Sequence, residues 1–205
     1  MTDPRIYSTS VARNKDVIVE AFSRLFPDAS RVLEIASGSG EHAEAILAVR
    51  PSLSWQGSDP DPEARASSQA RMRDLGQAKV VDINTRGSNW TSSVEGPFDV
   101  IVAINMIHIT SKAGYENLFA GAPHLLADGG SLFIYGPMVR EGVTEESNQR
   151  FSESLQSRDP EWGVRDLDLT LVPLAEKAGL VLNHVERVPA NNHVITFKKP
   201  ERSGS

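Results

Sequence analysis

An α/β fold in one domain is the class the sequence predicts, and three observations predict it. Arg31 to Ala43 begins as a short apolar run and passes through small residues into a helix-forming segment, so it reads as strand, tight turn and helix. Further strand candidates then alternate with helical patterns until five strands have been passed, and an antiparallel pair closes the chain. Finally, 205 residues with 40% hydrophobic content bury a substantial core and fit one domain better than two. The domain is assigned to residues 1–200, with 201–205 as a flexible tail.

Val17, Ile18, Ala21, Phe22 and Leu25 recur at helical spacing before Pro27, which gives an amphipathic helix ahead of the first strand, within about residues 8–26. Tyr7, Arg13 and Asn14 either fold over a ligand as a lid or form a solvated helix start. In the turn after the first strand, Gly38 and Gly40 lack a Cβ, so the backbone there can lie close to a ligand. The helix beginning near Glu41 points unpaired N–H groups into the gap. Gly38-x-Gly40-x-x-Ala43 also fits a dinucleotide pattern, so the glycines alone decide little. Glu34 discriminates. A carboxylate inside an apolar strand costs several kcal/mol unless it meets a cation or donors, and the ammonium of S-adenosylmethionine (SAM) can supply both.

The helix continues over Ala43–Val49, Pro51 breaks it, and Leu53–Asp59 forms the second strand. Asp59 lies roughly 20 residues past the glycines, where such folds place a carboxylate for the ribose hydroxyls. Asp59-Pro60-Asp61-Pro62 is also an ordinary turn and capping sequence. Pro62–Leu75 is expected to be a polar, exposed helix ended by Gly76. Lys79–Asn84 is expected as a third strand, its Asp82 either accepting from an adenine amino group or closing an Asx turn with Asn84.

Phe98–Asn105 is the best central-strand candidate, nearly continuous in apolar residues as a strand covered on both faces must be. Asn105 and His108 follow at its carboxyl edge, where ligands of open α/β sheets bind. Asn105 can orient a ligand. His108 either exchanges a proton near neutral pH or is a partly buried histidine fixed by the backbone. Tyr115–Leu126 is helical, stopped by Asp128-Gly129-Gly130, and Ser131–Tyr135 is the fifth strand; Tyr135 either enters the crevice or packs. Residues 138–168 turn polar and irregular, a length that points to a lid or binding loop. Within them Trp162 and Arg165 either form a stacking plate beside a cation or a packed surface pair. A helix over Asp166–Ala178 is expected to bury Leu169, Val172, Leu174 and Ala175. The strands Leu180–Val188 and Val194–Lys198 then form a hairpin through Pro189–His193, whose asparagines tolerate positive φ.

A formal net charge of −6 argues against affinity built on neutralising phosphates, so no nucleic-acid partner is expected. With no cysteine there are no disulfides, thiolate metal sites or cysteine nucleophiles, and the five histidines show no paired ligand spacing, so no metal is expected. No run resembles an export signal or a membrane span, which gives a cytoplasmic expectation. Ser37-Gly38-Ser39-Gly40 lacks the Gly-x-Ser-x-Gly of serine hydrolases.

The strand order resembles the class I SAM-dependent methyltransferase fold, a Rossmann-like, seven-stranded, mostly parallel sheet with a C-terminal antiparallel hairpin and helices on both faces. The segments LEIASGSGEHA, WQGSDPD, INMIHI, IYGP, DPEWGVRD and PANN, with the early ARNK, are similar over nearly the whole chain to one family, domain of unknown function 938. Its animal members are named methyltransferase-like 26. The resemblance implies SAM as cofactor and brings no known substrate. It implies that Glu34, Ala36, Ser37, Gly38 and Gly40, with His42, cradle the methionine end. It further implies that Asp59 and Pro60 take the ribose, that Asp82 and Ile83 take the adenine, and that Asn105 follows the fourth strand. Arg13, Asn14, His108, Trp162, Arg165, Asn191 and Asn192 match family motifs as pocket residues, and Tyr7 and Tyr135 join them as substrate-binding candidates. Two positions depart from the pattern. Ala12 stands where an acid is expected, which alters the lid's charge arrangement, and Glu41 replaces the usual glutamine, which adds an anion beside the cofactor loop.

The expected reaction is methyl transfer from SAM to an N, O or S atom of a small-molecule acceptor, with His108 removing a proton where needed and Asn105 or Tyr135 orienting the acceptor. No Asp/Asn-Pro-Pro-aromatic tetrad follows the fourth strand, so amino-group methylation of adenine or glutamine loses its usual signature. The rival readings are SAM binding without catalysis and nicotinamide-dependent oxidoreduction. The sequence leaves the oligomeric state open.

Overall fold

The computed structural model describes residues 3–201, so most of the expected flexible tail lies outside the described residues. The strands are β1 (Arg31–Ile35), β2 (Ser54–Gly57), β3 (Phe98–Ile104), β4 (Leu126–Val139), β5 (Arg165–Asp166), β6 (Val181–Val188) and β7 (Asn192–Lys198). They lie in the order β2-β1-β3-β4-β7-β6, with β5 paired to the far end of β4. β1 to β4 run parallel, and β7 runs antiparallel to both β4 and β6. This is the expected mixed α/β sheet of seven strands with its closing hairpin.

Strand alternation builds two cores, one on each face. Val32, Val100, Val102 and Phe133 point to one side, against Ile18 and Phe22 of helix α1 (Thr9–Leu25) and Ile46 of helix α2 (Glu41–Val49). Leu33, Ile101, Leu132 and Ile195 point to the other, against Leu118 and Phe119 of helix α4 (Lys112–Leu125) and Ala175 of helix α6 (Val172–Lys177). Fully burying such a side chain stabilises the fold by roughly 1.5–3 kcal/mol. Helices α3 (Pro62–Asp74) and α5 (Glu146–Gln156) complete the set among the described residues. Among the described residues no helix is long and apolar enough to cross a membrane.

Several expectations are corrected. Lys79–Asn84 is not a ladder strand, since only Val81 bridges to Ser58. The side chain of Gln56 takes the Lys79 carbonyl and that of Gln69 takes the Val80 amide, so the backbone groups that would extend the pairing are already used. Helix α3 is not a freely exposed element, because Ser67, Ser68, Ala70, Arg71 and Met72 are buried. The N-terminal segment lies across it, Ile6 N–H donating to Ser67 Oγ and Arg71 donating to the Ile6 carbonyl.

The polar stretch after β4 is not irregular but carries α5. Nor does the predicted helix over 166–178 bury Leu169, which is 67% exposed. A π-helical turn over Leu167–Leu171 shifts the phase, and Leu167, Leu171 and Ala175 face the core while Val172 and Leu174 are half-buried. β4 starts at Leu126, directly after α4, so Asp128-Gly129-Gly130 lies inside a strand. In the closing turn the positive φ falls on Ala190 (59°) and Asn191 (57°), an alanine and one asparagine.

Candidate active site

β1 delivers the chain into a turn in which Ala36, Gly38 and Gly40 have φ of 57°, 55° and 82°. Gly40 is required twice. Its φ favours glycine, and a Cβ there would stand 2.7 Å from the Ser68 Cα of α3. Gly38 has open space where its Cβ would be. The turn is tied to the end of β2 by Asp59, whose Oδ2 accepts from Gly38 N–H at 2.9 Å, and by Ser37 Oγ, which accepts from Ser58 N–H at 3.0 Å. Asp59 also accepts from Asp61 N–H at 2.9 Å, while Asp61 caps α3. The turn-and-cap function and a ribose-facing acid are therefore compatible here, because each carboxylate oxygen keeps a second lone pair. Burial raises the Asp59 pKa against the pull of these amides.

Glu34 lies behind this turn, 2% exposed. Trp55 Nε1 donates to its carboxylate at 3.2 Å and the Ser37 hydroxyl is a second donor, but no cation pairs with it among the described residues. Burial pushes its pKa up to about 7. A buried acid with donors and no counter-charge suits a ligand bearing an ammonium, and the adjoining N-terminus of α2 suits a carboxylate, so the residues present fit the amino-acid end of SAM. The residues expected to take the adenine are less enclosed. Asp82 is largely exposed and 3.3 Å from Arg65, Pro60 is exposed, and Ile83 is buried in the core. Glu41 is not a free anion beside the turn, because it accepts from Ser8 N–H and from Ser39 Oγ, both at 2.8 Å, and straps the N-terminal segment down.

From this cradle a line of polar side chains crosses to a second space. His42 Nε2 donates to Asn14 Oδ1 at 2.9 Å, and the Tyr135 hydroxyl lies close to Asn14 and Asn192. Burial drives the His42 pKa down to about 4, so it is neutral and donates as drawn. Beyond lies a cavity of about 580 Å³, a size that accommodates a small molecule. Helix α1 lines it with Arg13, Asn14 and Val17, and the turn after β3 with Asn105, His108 and Ile109. Tyr135 and Pro137 come from β4, Ser147, Asn148 and Phe151 from α5, and Pro189, Ala190 and Asn192 from the hairpin end. Tyr135 thus both packs and enters the crevice. Asn105 has φ 54° and is held by its N–H to the Tyr135 carbonyl at 2.8 Å. His108 is buried beside Phe151 in a T-shaped pair, ring centroids 5.4 Å apart, and burial, then Arg165, lowers its pKa to about 4.

A sequence profile described as "Protein of unknown function (DUF938)" matches residues 5–199, nearly the full length. The chain belongs to this family. Among solved structures, the DUF938 chain is similar to an O-methyltransferase family protein from Burkholderia thailandensis, with a TM-score of 0.80 at 19% identity over 95% of this chain and 57% of that one. A putative O-methyltransferase from Nostoc punctiforme matches with a TM-score of 0.76 at 17% identity, over 92% and 56% of the two chains. Human N-acetylserotonin methyltransferase, solved in complex with SAM, matches with a TM-score of 0.72 at 14% identity, over 93% and 53%. The chain spans little more than half the length of these proteins, and the likeness establishes the methyltransferase fold.

Four expected site residues of the DUF938 chain stand apart from the cavity. Tyr7 is 74% exposed, with the Arg71 guanidinium 4.8 Å from its ring. Trp162 and Arg165 do not form a plate together. Trp162 stacks with Arg158, whereas Arg165 lies 4.9 Å from the Tyr115 ring and donates to the Thr110 carbonyl at 2.9 Å, bracing the turn that carries His108. Asn191 binds Ser147 and Arg187 and faces a neighbouring cavity of about 260 Å³. Sequence reasoning missed the wall from α5. Phe151, a lone aromatic in a polar run, was its one signal.

Proposed function

We propose that this DUF938 protein is a SAM-dependent methyltransferase acting on a small-molecule acceptor held in the 580 Å³ cavity. On the sequence resemblance we also group it with methyltransferase-like 26. The observation that carries the reading is Glu34, a buried acid without a cation at the turn that also presents the N-terminus of α2. SAM held by Glu34 and the N-terminus of α2 would supply an electrophilic methyl on a sulfonium, to be exchanged for a proton of the acceptor with S-adenosylhomocysteine as the leaving group. The chain's contribution is alignment and exclusion of water. Asn105, fixed by its backbone bond to Tyr135, presents its amide to the cavity, and Tyr135, beside it on the neighbouring strand and close to Asn14 and Asn192, orients the acceptor with it. His108 is neutral at ordinary pH but a weak base, so it takes the proton late, once bond formation has made the acceptor atom acidic.

The test is transfer of a labelled methyl from SAM into a metabolite extract. Label is expected in a small molecule, with His108→Ala and Asn105→Ala each slowing transfer by about 10²-fold or more. Full turnover by both variants on an identified acceptor contradicts these roles. Binding of SAM with no methylated product supports a binding protein without catalysis.

A further inference from the structure

We propose that the acceptor is a flat, aromatic carboxylate, its acid group held by Arg13 and its ring lying between Phe151 and Tyr135; this deepens, and rests on, the methyltransferase reading. The first support is the charge of the walls. The chain as a whole is acidic, with a net charge of −6, yet the residues lining this cavity include no Asp or Glu and one arginine. His108, held neutral by burial, adds no charge. A cationic acceptor would give up hydration there and find no counter-ion. An anionic one meets Arg13.

The second support is the state of Arg13. Its Nε donates to the Thr9 carbonyl of its own helix at 3.1 Å, which leaves the two terminal nitrogens of the guanidinium, and no carboxylate pairs with it among the described residues. Those nitrogens form the planar fork that grips a carboxylate through two parallel hydrogen bonds. Most other arginines near the site are already committed: Arg71 to Glu44 at 3.0 Å, Arg140 to Asp168 at 2.7 Å, Arg187 to Glu145 at 2.7 Å, and Arg165 to backbone carbonyls. The third support is shape. Phe151, the His108 ring set across it and Tyr135 give flat faces, with Val17, Ile109 and Pro137 as apolar filling, so a planar ring is accommodated better than a branched or strongly hydrated body. Asn105 remains as a neutral partner for the group to be methylated.

The experiment titrates protein saturated with S-adenosylhomocysteine with three probes of one ring size, 4-hydroxybenzoate, 4-hydroxybenzamide and 4-hydroxybenzylamine, followed by ligand-observed NMR. The carboxylate is expected to bind at least tenfold more tightly than the amide, and the amine not to bind. Arg13→Gln is expected to bring the carboxylate down to the affinity of the amide, and Arg13→Lys to restore part of the difference. Arg13 is exposed on α1, and an unchanged melting temperature verifies that each variant is folded. Equal binding of carboxylate and amide, preference for the amine, an Arg13→Gln variant like wild type, or no binding of any probe while S-adenosylhomocysteine binds overturns the inference and leaves the methyltransferase reading in place. Failure of S-adenosylhomocysteine itself to bind removes both.

Discussion

Asn14 and His42 are hydrogen-bonded at 2.9 Å, and through this contact the helix before β1 and the helix after the glycine turn hold one another. Because Asn14 also lines the 580 Å³ cavity together with Tyr135, one asparagine side chain touches both the helix after the glycine turn and that cavity. Asn14→Ala leaves the buried His42 N–H without a partner, and a loss of about 1–3 kcal/mol is expected by chemical denaturation. Methyl transfer should fall further than the loss of folded protein explains.

Two of the buried histidines, His42 and His108, give an acid-side pH dependence. His42 and His108 both have folded-state pKa values near 4, below the ordinary 6.5, so the unfolded chain takes up protons first as the pH falls. Their contribution to stability is therefore complete above about pH 6.5 and is lost as the pH drops towards 4. Denaturation midpoints between these limits should decline with acidity, less steeply in His42→Gln and His108→Gln. Equal slopes in all three proteins contradict the burial of neutral imidazoles.

Glu34 acts in the opposite sense. With its pKa raised from 4.5 to about 7, it stabilises the folded chain most fully below pH 4.5, and that contribution is lost as the pH rises through 7. Glu34→Gln should therefore be more stable than wild type above pH 7 when no ligand is present. A variant less stable than wild type there contradicts an uncompensated acid.

The two glycines of the turn should separate cleanly. Gly40→Ala meets both a left-handed backbone and the Ser68 Cα, and a loss of roughly 2–5 kcal/mol is expected. Gly38→Ala carries the backbone cost alone, roughly 1–2 kcal/mol, since its Cβ enters open space. Denaturation of the two variants side by side measures the difference.

Arg165 lowers the His108 pKa and braces its turn. In Arg165→Gln the His108 pKa, followed by NMR, should rise yet stay below 6.5, because burial is the larger cause. No rise contradicts the coupling.

The parts that were readable in the sequence are those in which local pattern and tertiary demand agree. Arg31–Ile35 with its glycines, the apolar run Phe98–Ile104 and the closing hairpin each carry a period or turn chemistry that the sheet then uses. What escaped depended on partners distant in sequence. Ser67, Ser68 and Arg71 look like a solvated helix face until Gly40 and the N-terminal segment lie over them. Phe151 and Leu155 are too few to show a helical period, though they seat α5 against the cavity and the core. Arg165 was matched with its neighbour Trp162, but the closer aromatic in space is Tyr115.

The most direct test of the central claim, that Glu34 and the glycine turn grip the amino-acid end of SAM, is calorimetric titration of the wild-type protein and Glu34→Gln with SAM, with NAD as control. The expected result is one SAM site on wild type, affinity at least tenfold weaker in Glu34→Gln, and no heat with NAD. No SAM binding by wild type, or undiminished binding by a folded Glu34→Gln, would contradict it.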